Sequence, residues 1–361
     1  MSVAIVTGSA GLVGAECCRR FAGMGYHVVG VDNGMRARYF GPSASTTSNQ
    51  ARLAQLLGSN FEPVSLDVRN RAGISSLFKR YSGAISVVIH AAGQPSHDWS
   101  VKQPVTDFLV NAGGTLNVLE AARRYAPDSS FIFTSTNKVY GDACNLLPLR
   151  ELPTRFEIEP THPFATDGIP ECMGTDQSVH SIFGVSKLAA DSLVQEYAQC
   201  YGLKTGCFRA GTITGTEHAA AALHGFLAYL VRCAVTEAPY VVFGYSGKQV
   251  RDVIHVADLV SAFLLFADAP RAGRVYNIGG SRQNSISMLE AITKCEKALN
   301  RPMIHSYSSA ARMGDHKWWI SSNDRFRQDF QWEITRSIDD ILLEMLDRTE
   351  EAPAAGGRLK K

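Results

Sequence analysis

Two rhythms of apolar and polar positions alternate along the first 210 residues. Short runs dense in Val, Ile, Ala and Phe occur at Val3–Thr7, His27–Asp32, Phe61–Leu66, Ile85–His90 and Phe131–Ser135. Between them, stretches at Gly11–Met24, Arg71–Tyr81 and Val105–Arg124 space their apolar residues three and four apart, the period of a helix with one buried face. Apolar runs of this length, each followed by a helix, predict parallel strands buried on both faces in βαβ units. The predicted fold class is therefore α/β, a doubly wound parallel sheet of Rossmann type with right-handed crossovers.

After Gly141 the rhythm breaks. Asn145–Ser178 is rich in Pro, Thr, Asp and Glu and reads as a long excursion. A helix resumes at Ser181–Tyr201, a strand follows at Leu203–Arg209, and Val275–Gly280 returns to the main body. The predicted division is a dinucleotide-binding part (1–178, 179–211 and 246–280) and a smaller, sequence-interleaved lobe for substrate (212–245 and 281–348). The last residues, 349–361, read as a flexible tail.

Length and composition agree with this picture and remove several function classes. A chain of 361 residues suggests about two domains. With 45% hydrophobic and 19% charged residues it is an ordinary globular composition. A net charge of +2 offers no footprint for nucleic acid or an acidic membrane. The eight cysteines form no CxxC pair, which fits idle thiols in a reducing compartment. The histidines show no HxH or HExxH spacing, so no metal is expected. No basic leader with an apolar core opens the chain, and the longest apolar stretches are broken by Arg232 or glycines. A cytoplasmic protein with no membrane span is the expectation.

The first strand runs into Gly8-Ser9-Ala10-Gly11-Leu12-Val13-Gly14, which opens a helix. Glycines there let the backbone turn sharply and approach a pyrophosphate, while the helix N-terminus offers free N–H groups. No GK[ST] follows, which disfavours a nucleoside-triphosphate loop. Asp32 ends the second strand, where a carboxylate accepts from ribose hydroxyls and repels a 2′-phosphate, so NAD is favoured over NADP. Asp67-Val68 follows the third strand, where an adenine edge can lie. Ala91-Ala92-Gly93 follows the fourth, where small residues admit a ligand, and His90 before them reads as a satisfied structural histidine.

Further motifs follow in order: Asn111-Ala-Gly-Gly-Thr115, Thr134-Ser-Thr-Asn-Lys-Val-Tyr-Gly-Asp142, Phe183-Gly-Val-Ser-Lys187, Gly247-Lys-Gln-Val-Arg-Asp-Val-Ile-His255 and Tyr276-Asn-Ile-Gly-Gly280. Together they resemble the extended short-chain dehydrogenase/reductases, in their NAD-dependent epimerase/dehydratase branch, over residues 3 to 335. The STNKVYGD, GKQVRD and NIGG…NSIS segments look most like its 2-epimerases of nucleotide sugars. The resemblance implies an NAD that stays bound while a sugar hydroxyl is oxidised to a ketone, here at C2, and reduced again from the other face. Position by position, it implies that Thr136 hydrogen-bonds the reacting oxygen. It also implies that Lys187 holds the nicotinamide ribose and that Asn33, Asn111 and Thr134 belong to the cofactor site. Gln94, Lys138, Thr212, Arg251 and Arg312 are the implied substrate contacts, the arginines suiting a diphosphate. A homodimer through the helices near 104–124 and 181–201 is implied as well.

Two positions depart from the branch. Its YxxxK is FxxxK here, so Phe183 stands where a tyrosine takes the hydroxyl proton. Loss of a general base typically costs about 10²–10⁴-fold in rate. Three explanations stand open: another group replaces it (Lys187 itself, or Glu171, Cys172, Asp176 or His180 on the excursion), the protein binds without turnover, or Phe183 was introduced. Thr212 stands where many members carry asparagine. Asn137 and Lys138 occupy the places of a dehydratase's Asp-Glu pair, which argues against 4,6-dehydration. A 4-epimerase, a dehydratase and a silent binder of NAD and nucleotide sugar are the competing readings. The insert Asn33–Gln50, with Met35, Arg36, Arg38, Tyr39 and Phe40, reads as a packed surface loop or a lid. Trp318-Trp319 reads as packing.

Overall fold

The computed structural model describes residues 1–216, 218, 225–310 and 314–351. Seven parallel strands form the main sheet: β1 (Val3–Thr7), β2 (His27–Asp32), β3 (Phe61–Ser65), β4 (Ile85–His90), β5 (Ser130–Thr136), β6 (Lys204–Ala210) and β7 (Arg274–Ile278). Their order is β3-β2-β1-β4-β5-β6-β7. The order reverses between β1 and β4, which pair directly, and such a reversal leaves a crevice at the strands' C-terminal ends.

Alternation along each strand assigns its side chains to two helical layers. Ala4 and Val6 face one layer with α1 (Leu12–Gly23), where Cys17, Cys18 and Phe21 are buried. Val3 and Ile5 face the other, with α2 (Arg71–Arg80), α3 (Gly114–Tyr125) and α4 (Ile182–Tyr201). The predicted helix over 105–124 is interrupted. Pro104–Phe108 passes into a π-helical turn at Leu109–Gly113 before α3 begins. There Thr115 donates its hydroxyl to the Asn111 carbonyl at 2.5 Å, and such bulges recur at functional sites.

Two boundaries drawn from the sequence move. Val250–His255, expected with the dinucleotide-binding part, does not join the main sheet. Buried along its whole length, it takes partners on both sides in a second sheet: Ser285–Ser287 antiparallel, Trp318–Trp319 and Thr212–Thr214 parallel. Asp324–Phe330, expected in the lobe, covers the main sheet, because Phe326 packs on Phe208 of β6 and Tyr276 of β7. The lobe has its own core from Phe226–Thr236, Met288–Leu299 and Ile338–Glu351. Thr349–Glu351 thus ends a helix instead of starting a flexible tail, and 352–361 lie outside the described residues.

The excursion packs Ile158 and Ile169 against Tyr140, Trp318 and Trp319. Both tryptophans are fully buried, with their N–H groups donated to Glu157 and Ser321, so they are core residues. All eight cysteines are free thiols, six of them buried. Among the described residues no helix is long and apolar enough to cross a membrane.

Candidate active site

A cavity of about 510 Å³ opens over the C-terminal ends of β1, β2, β4 and β5 and continues under the lobe. Its first end is the glycine turn. Gly8 has φ +70°, and a Cβ there would lie 2.9 Å from the Ala91 carbonyl oxygen. A Cβ on Gly14 would lie 2.0 Å from the Gly8 carbonyl oxygen. Only glycine lets this turn close against β4 and bring the start of α1 to the cavity, where Gly11, Leu12 and Val13 also line the wall.

Asp32 accepts from the amides of Ala10 at 3.1 Å and Gly34 at 2.8 Å, which fixes its carboxylate at the cavity rim. Asn33 lines the rim and donates to Asp67 at 2.9 Å. Asp67 itself does not reach the cavity, although Val68 does. It ion-pairs with Arg69 at 2.7 Å, and the Arg69 hydrogen bond holds its carboxyl below the ordinary range. Leu66 and Val68 line the cavity beside it. His90 is structural: its ring nitrogens meet Thr7 at 2.7 Å and Thr115 at 2.9 Å, and burial pushes it down to about 3, so it stays neutral.

Ala91, Ala92 and Gly93 form the floor after β4. Next to them Asn111 is locked: it accepts from the Gln94 amide at 2.8 Å and donates to Ser186 at 3.0 Å. Gln94 is nearly as constrained. Its side-chain amide donates to Asp107 at 2.6 Å and to the Ser96 carbonyl at 2.8 Å, and its carbonyl accepts from the Ser96 amide. Gln94, expected to meet substrate, lines the cavity and also braces the loop that leads to His97.

Thr136 ends β5 and lines the cavity, its hydroxyl accepting from the Lys138 amide at 3.2 Å. Phe183 and Lys187 are one turn apart on α4 and so share a face. The Lys187 ammonium donates to the Thr134 carbonyl at 2.8 Å and lies 4.2 Å from the centre of the Phe133 ring. Burial pushes it down to about 8. The Thr134 hydroxyl, also at the cavity, is buried without a hydrogen-bond partner in the protein. Phe183 is buried at the cavity wall, its ring centre 4.9 Å from that of His97.

The far end is cationic. Lys138 donates to the Gly314 carbonyl at 3.0 Å and lies 3.8 Å from the Asp315 carboxylate. Burial pushes this amine down to about 8 as well, with Asp315 opposing and Arg251 reinforcing the shift. Arg251 pairs with Asp315. Burial alone would raise the Asp315 carboxyl, but Arg251 and Lys138 outweigh it and hold it well below its ordinary value. Two cations thus share one carboxylate and leave a net positive wall. Thr212 lines this end too, and Arg312 lies outside the described residues.

Four suspected replacements for the tyrosine are elsewhere. Glu171 accepts from the Asn277 amide and pairs with Arg325, and His180 is bonded to the carbonyls of Ser178 and Val139. Neither they nor Cys172 and Asp176 line the cavity. Sequence reasoning missed His97 and Asp98, which do. Their signal was position alone, on a Ser96-capped helix after the C-terminal end of β4. In the insert, Met35, Arg36 and Tyr39 line the cavity, and Tyr39 stands edge-on to Trp99 at 5.0 Å.

A glycine cradle, a carboxylate at the rim, small residues on the floor and a lysine at the end of β5 define a dinucleotide-using enzyme of Rossmann type. The family of NAD dependent epimerases/dehydratases matches residues 4–279, and the chain belongs to it. Its cofactor is NAD. Among its relatives, a CDP-paratose 2-epimerase of Salmonella typhi is 32% identical over 96% of this chain and 98% of its own. The human UDP-glucose 4-epimerase is 25% identical over 98% of both chains. In three dimensions a UDP-glucuronic acid 4-epimerase from Bacillus cereus, solved with UDP-glucuronic acid and NAD, shares the fold at a TM-score of 0.78. It is 24% identical and covers 96% of this chain and 98% of its own.

The cradle fits NAD on local grounds too. A Cβ at Gly8 or Gly14 would collide with neighbouring backbone and force the turn apart, and the orphan Thr134 hydroxyl lines the same cavity.

Proposed function

We propose that the chain epimerises a nucleoside-diphosphate hexose at C2 through a transient ketone. It is an NAD-dependent nucleotide-sugar epimerase; the choice of carbon, the division of labour between its parts and the roles of its residues are the proposal. The observation that carries it is the continuity of one cavity. The cavity runs from the glycine cradle, past Thr136 and Lys187, to the Lys138–Arg251 wall.

NAD, when bound, accepts a hydride and returns it. The glycine turn, Asp32, Asn33 and the Ala91–Gly93 floor hold its adenosine and pyrophosphate, and Asn111 braces the loop beside them. Lys187, a cation at neutral pH, biases the catalytic end of the cavity towards electron acceptance and orients a ribose by hydrogen bonding. Thr136 donates to the reacting oxygen. Lys138 and Arg251 draw in a diphosphate, with Thr212 making a smaller set of bonds than an amide makes. The main-sheet part holds the cofactor and the lobe holds the sugar nucleotide.

A dimer fits the surface. Phe108, Leu109, Leu116 and Val185 are exposed on the helical runs at 104–125 and 182–201, beside a shallow apolar groove lined by Ala112, Ala189 and Leu193. Residence in the cytoplasm fits the free thiols.

The test is proton NMR of the NAD-loaded protein with CDP-, UDP-, GDP-, ADP- and TDP-sugars. The expected result is a new anomeric signal of unchanged mass with inversion at C2. Inversion at C4 supports the 4-epimerase reading. Binding without conversion across the panel supports the silent binder that Phe183 brings to mind.

A further inference from the structure

We propose that His97 accepts the sugar hydroxyl proton in place of the missing tyrosine. The proposal rests on the epimerase reading and deepens it. Phe183 holds the position one helical turn before Lys187 and has no group that exchanges a proton. The imidazole of His97 packs against that ring, with centres 4.9 Å apart and planes inclined by 56°. Both line the cavity that Thr136 and Lys187 line. The short helix His97–Lys102 packs on Pro104–Phe108 and on α4, so the imidazole meets Phe183 across the contact between the two helices.

Four other titratable groups of the cavity are held by partners of their own. The Lys187 and Lys138 amines are cations at neutral pH and donate to backbone carbonyls. Asp315 is held between Arg251 and Lys138, and Asp32 receives two amides at the glycine turn. The second imidazole, His218, stands against Gly225 and is influenced by Arg36 of the insert. A neutral imidazole carries one ring nitrogen that can accept a proton. Of the charged groups on the elements packed together here, Asp98 and Lys102 lie on the helix of His97 itself, Asp107 on Pro104–Phe108, and Lys187, Asp191 and Glu196 on α4.

The step balances. The C2–H bond breaks and its electron pair leaves as hydride to the oxidised dinucleotide. The O–H bond breaks, its proton forms an N–H bond on His97, and the C–O single bond becomes a ketone. On return, the hydride adds to the opposite face of C2 and the imidazolium gives its proton back to the oxygen. Nothing is consumed. Thr136 donates to the oxygen throughout.

The experiment compares wild type, His97→Gln, Phe183→Tyr and the double variant, each checked for bound NAD after denaturation and for nucleotide-sugar affinity. His97→Gln should lose about 10²–10⁴-fold in kcat with both affinities kept. The double variant should regain turnover, since a phenol then stands beside Lys187. The acid limb of the wild-type pH profile should be absent from the double variant. A second measurement needs no variant: the His97 ring-proton NMR signal should shift in position and pKa when the nucleotide sugar binds.

A His97→Gln loss under threefold, an Asp98→Asn loss in its place, or an unmoved His97 signal overturns the proposal. So does a wild type that binds nucleotide sugars without converting them and gains turnover in Phe183→Tyr. That last outcome leaves the binding site intact as read. A chain that binds no nucleotide sugar fails the reading itself, and the proposal with it.

Discussion

Adding one methyl group at Gly14 should sever the cofactor site from the fold. In Gly14→Ala the new carbon would stand 2.0 Å from the Gly8 carbonyl oxygen, 2.7 Å from its carbon and 2.8 Å from the Ser9 Cα. All three neighbours are backbone, so no side chain can rotate away. The Gly8–Gly11 turn must retreat, and it is already pinned on its other side, where Gly8 donates its amide to the Val31 carbonyl at 2.7 Å. Forced overpacking of this kind costs about 1–3 kcal/mol. If the turn moves to relieve it, the amides aimed at a pyrophosphate move too. A misalignment worth the same 1–3 kcal/mol weakens NAD roughly five- to 150-fold.

The control is Gly23→Ala at the end of the same helix. A Cβ there meets nothing within 4 Å, and the exchange should stabilise by about 0.5–1 kcal/mol. Calorimetric titration with NAD and thermal unfolding of the cofactor-free protein read both effects. Wild-type affinity in Gly14→Ala, or an equal loss in Gly23→Ala, would refute the steric argument.

Two further outcomes follow from buried charge. Asp191 accepts two hydrogen bonds from Arg209, at 2.8 and 3.1 Å, and a third from Ser135 at 2.5 Å, all out of solvent. Asp191→Ala strands the guanidinium and should lower unfolding stability by about 3–5 kcal/mol in a urea titration; a loss below 1 kcal/mol would mean that water or a second carboxylate replaces it. Lys187 and Lys138, both pushed down to about 8 by burial, are cations below that pH and lose their charge above it. Under the proposed roles kcat/KM should decline from pH 8 to 10. The stability contribution of the same two groups runs the other way. Their folded values lie below the unfolded one, so between about 8 and 10.5 the unfolded chain binds more protons and stability from them rises. Activity that falls while circular dichroism stays constant supports the roles; activity flat to pH 10 removes them.

Much of this was legible without coordinates because the signals are local. A strand that ends in Gly-x-x-Gly-x-x-Gly and a carboxylate at the end of the next strand are facts about neighbouring residues. The strands His27–Asp32 and Ile85–His90 have in the structure the limits that their apolar runs predict. Phe183 and Lys187 share a helix face by spacing alone. The π-helical turn at Leu109–Gly113 was not legible, because Asn111 and Thr115 lie four apart in any helix. The partner of Asp67 was not legible for a related reason: its position after β3 follows from the apolar run, but its pairing with Arg69, two residues on, depends on how the turn closes.

By itself the sequence determined the layered α/β framework, the NAD class of cofactor and the gap left by the tyrosine. The first two follow from periodicity or from residues close along the chain, where geometry is set by the backbone; the third follows from the resemblance to a family whose motif is YxxxK. Only the tertiary structure decided what stands opposite that gap. His97 follows β4 and Phe183 opens α4, 86 residues apart in the chain. They meet because the sheet order sets β4 beside β5 and packs both helices over its edge. It also decided that Val250–His255 serves a second sheet, since a strand buried along its whole length takes whichever partners satisfy its backbone on both sides. Such long-range pairings depend on how the whole chain closes, and no window of sequence contains them.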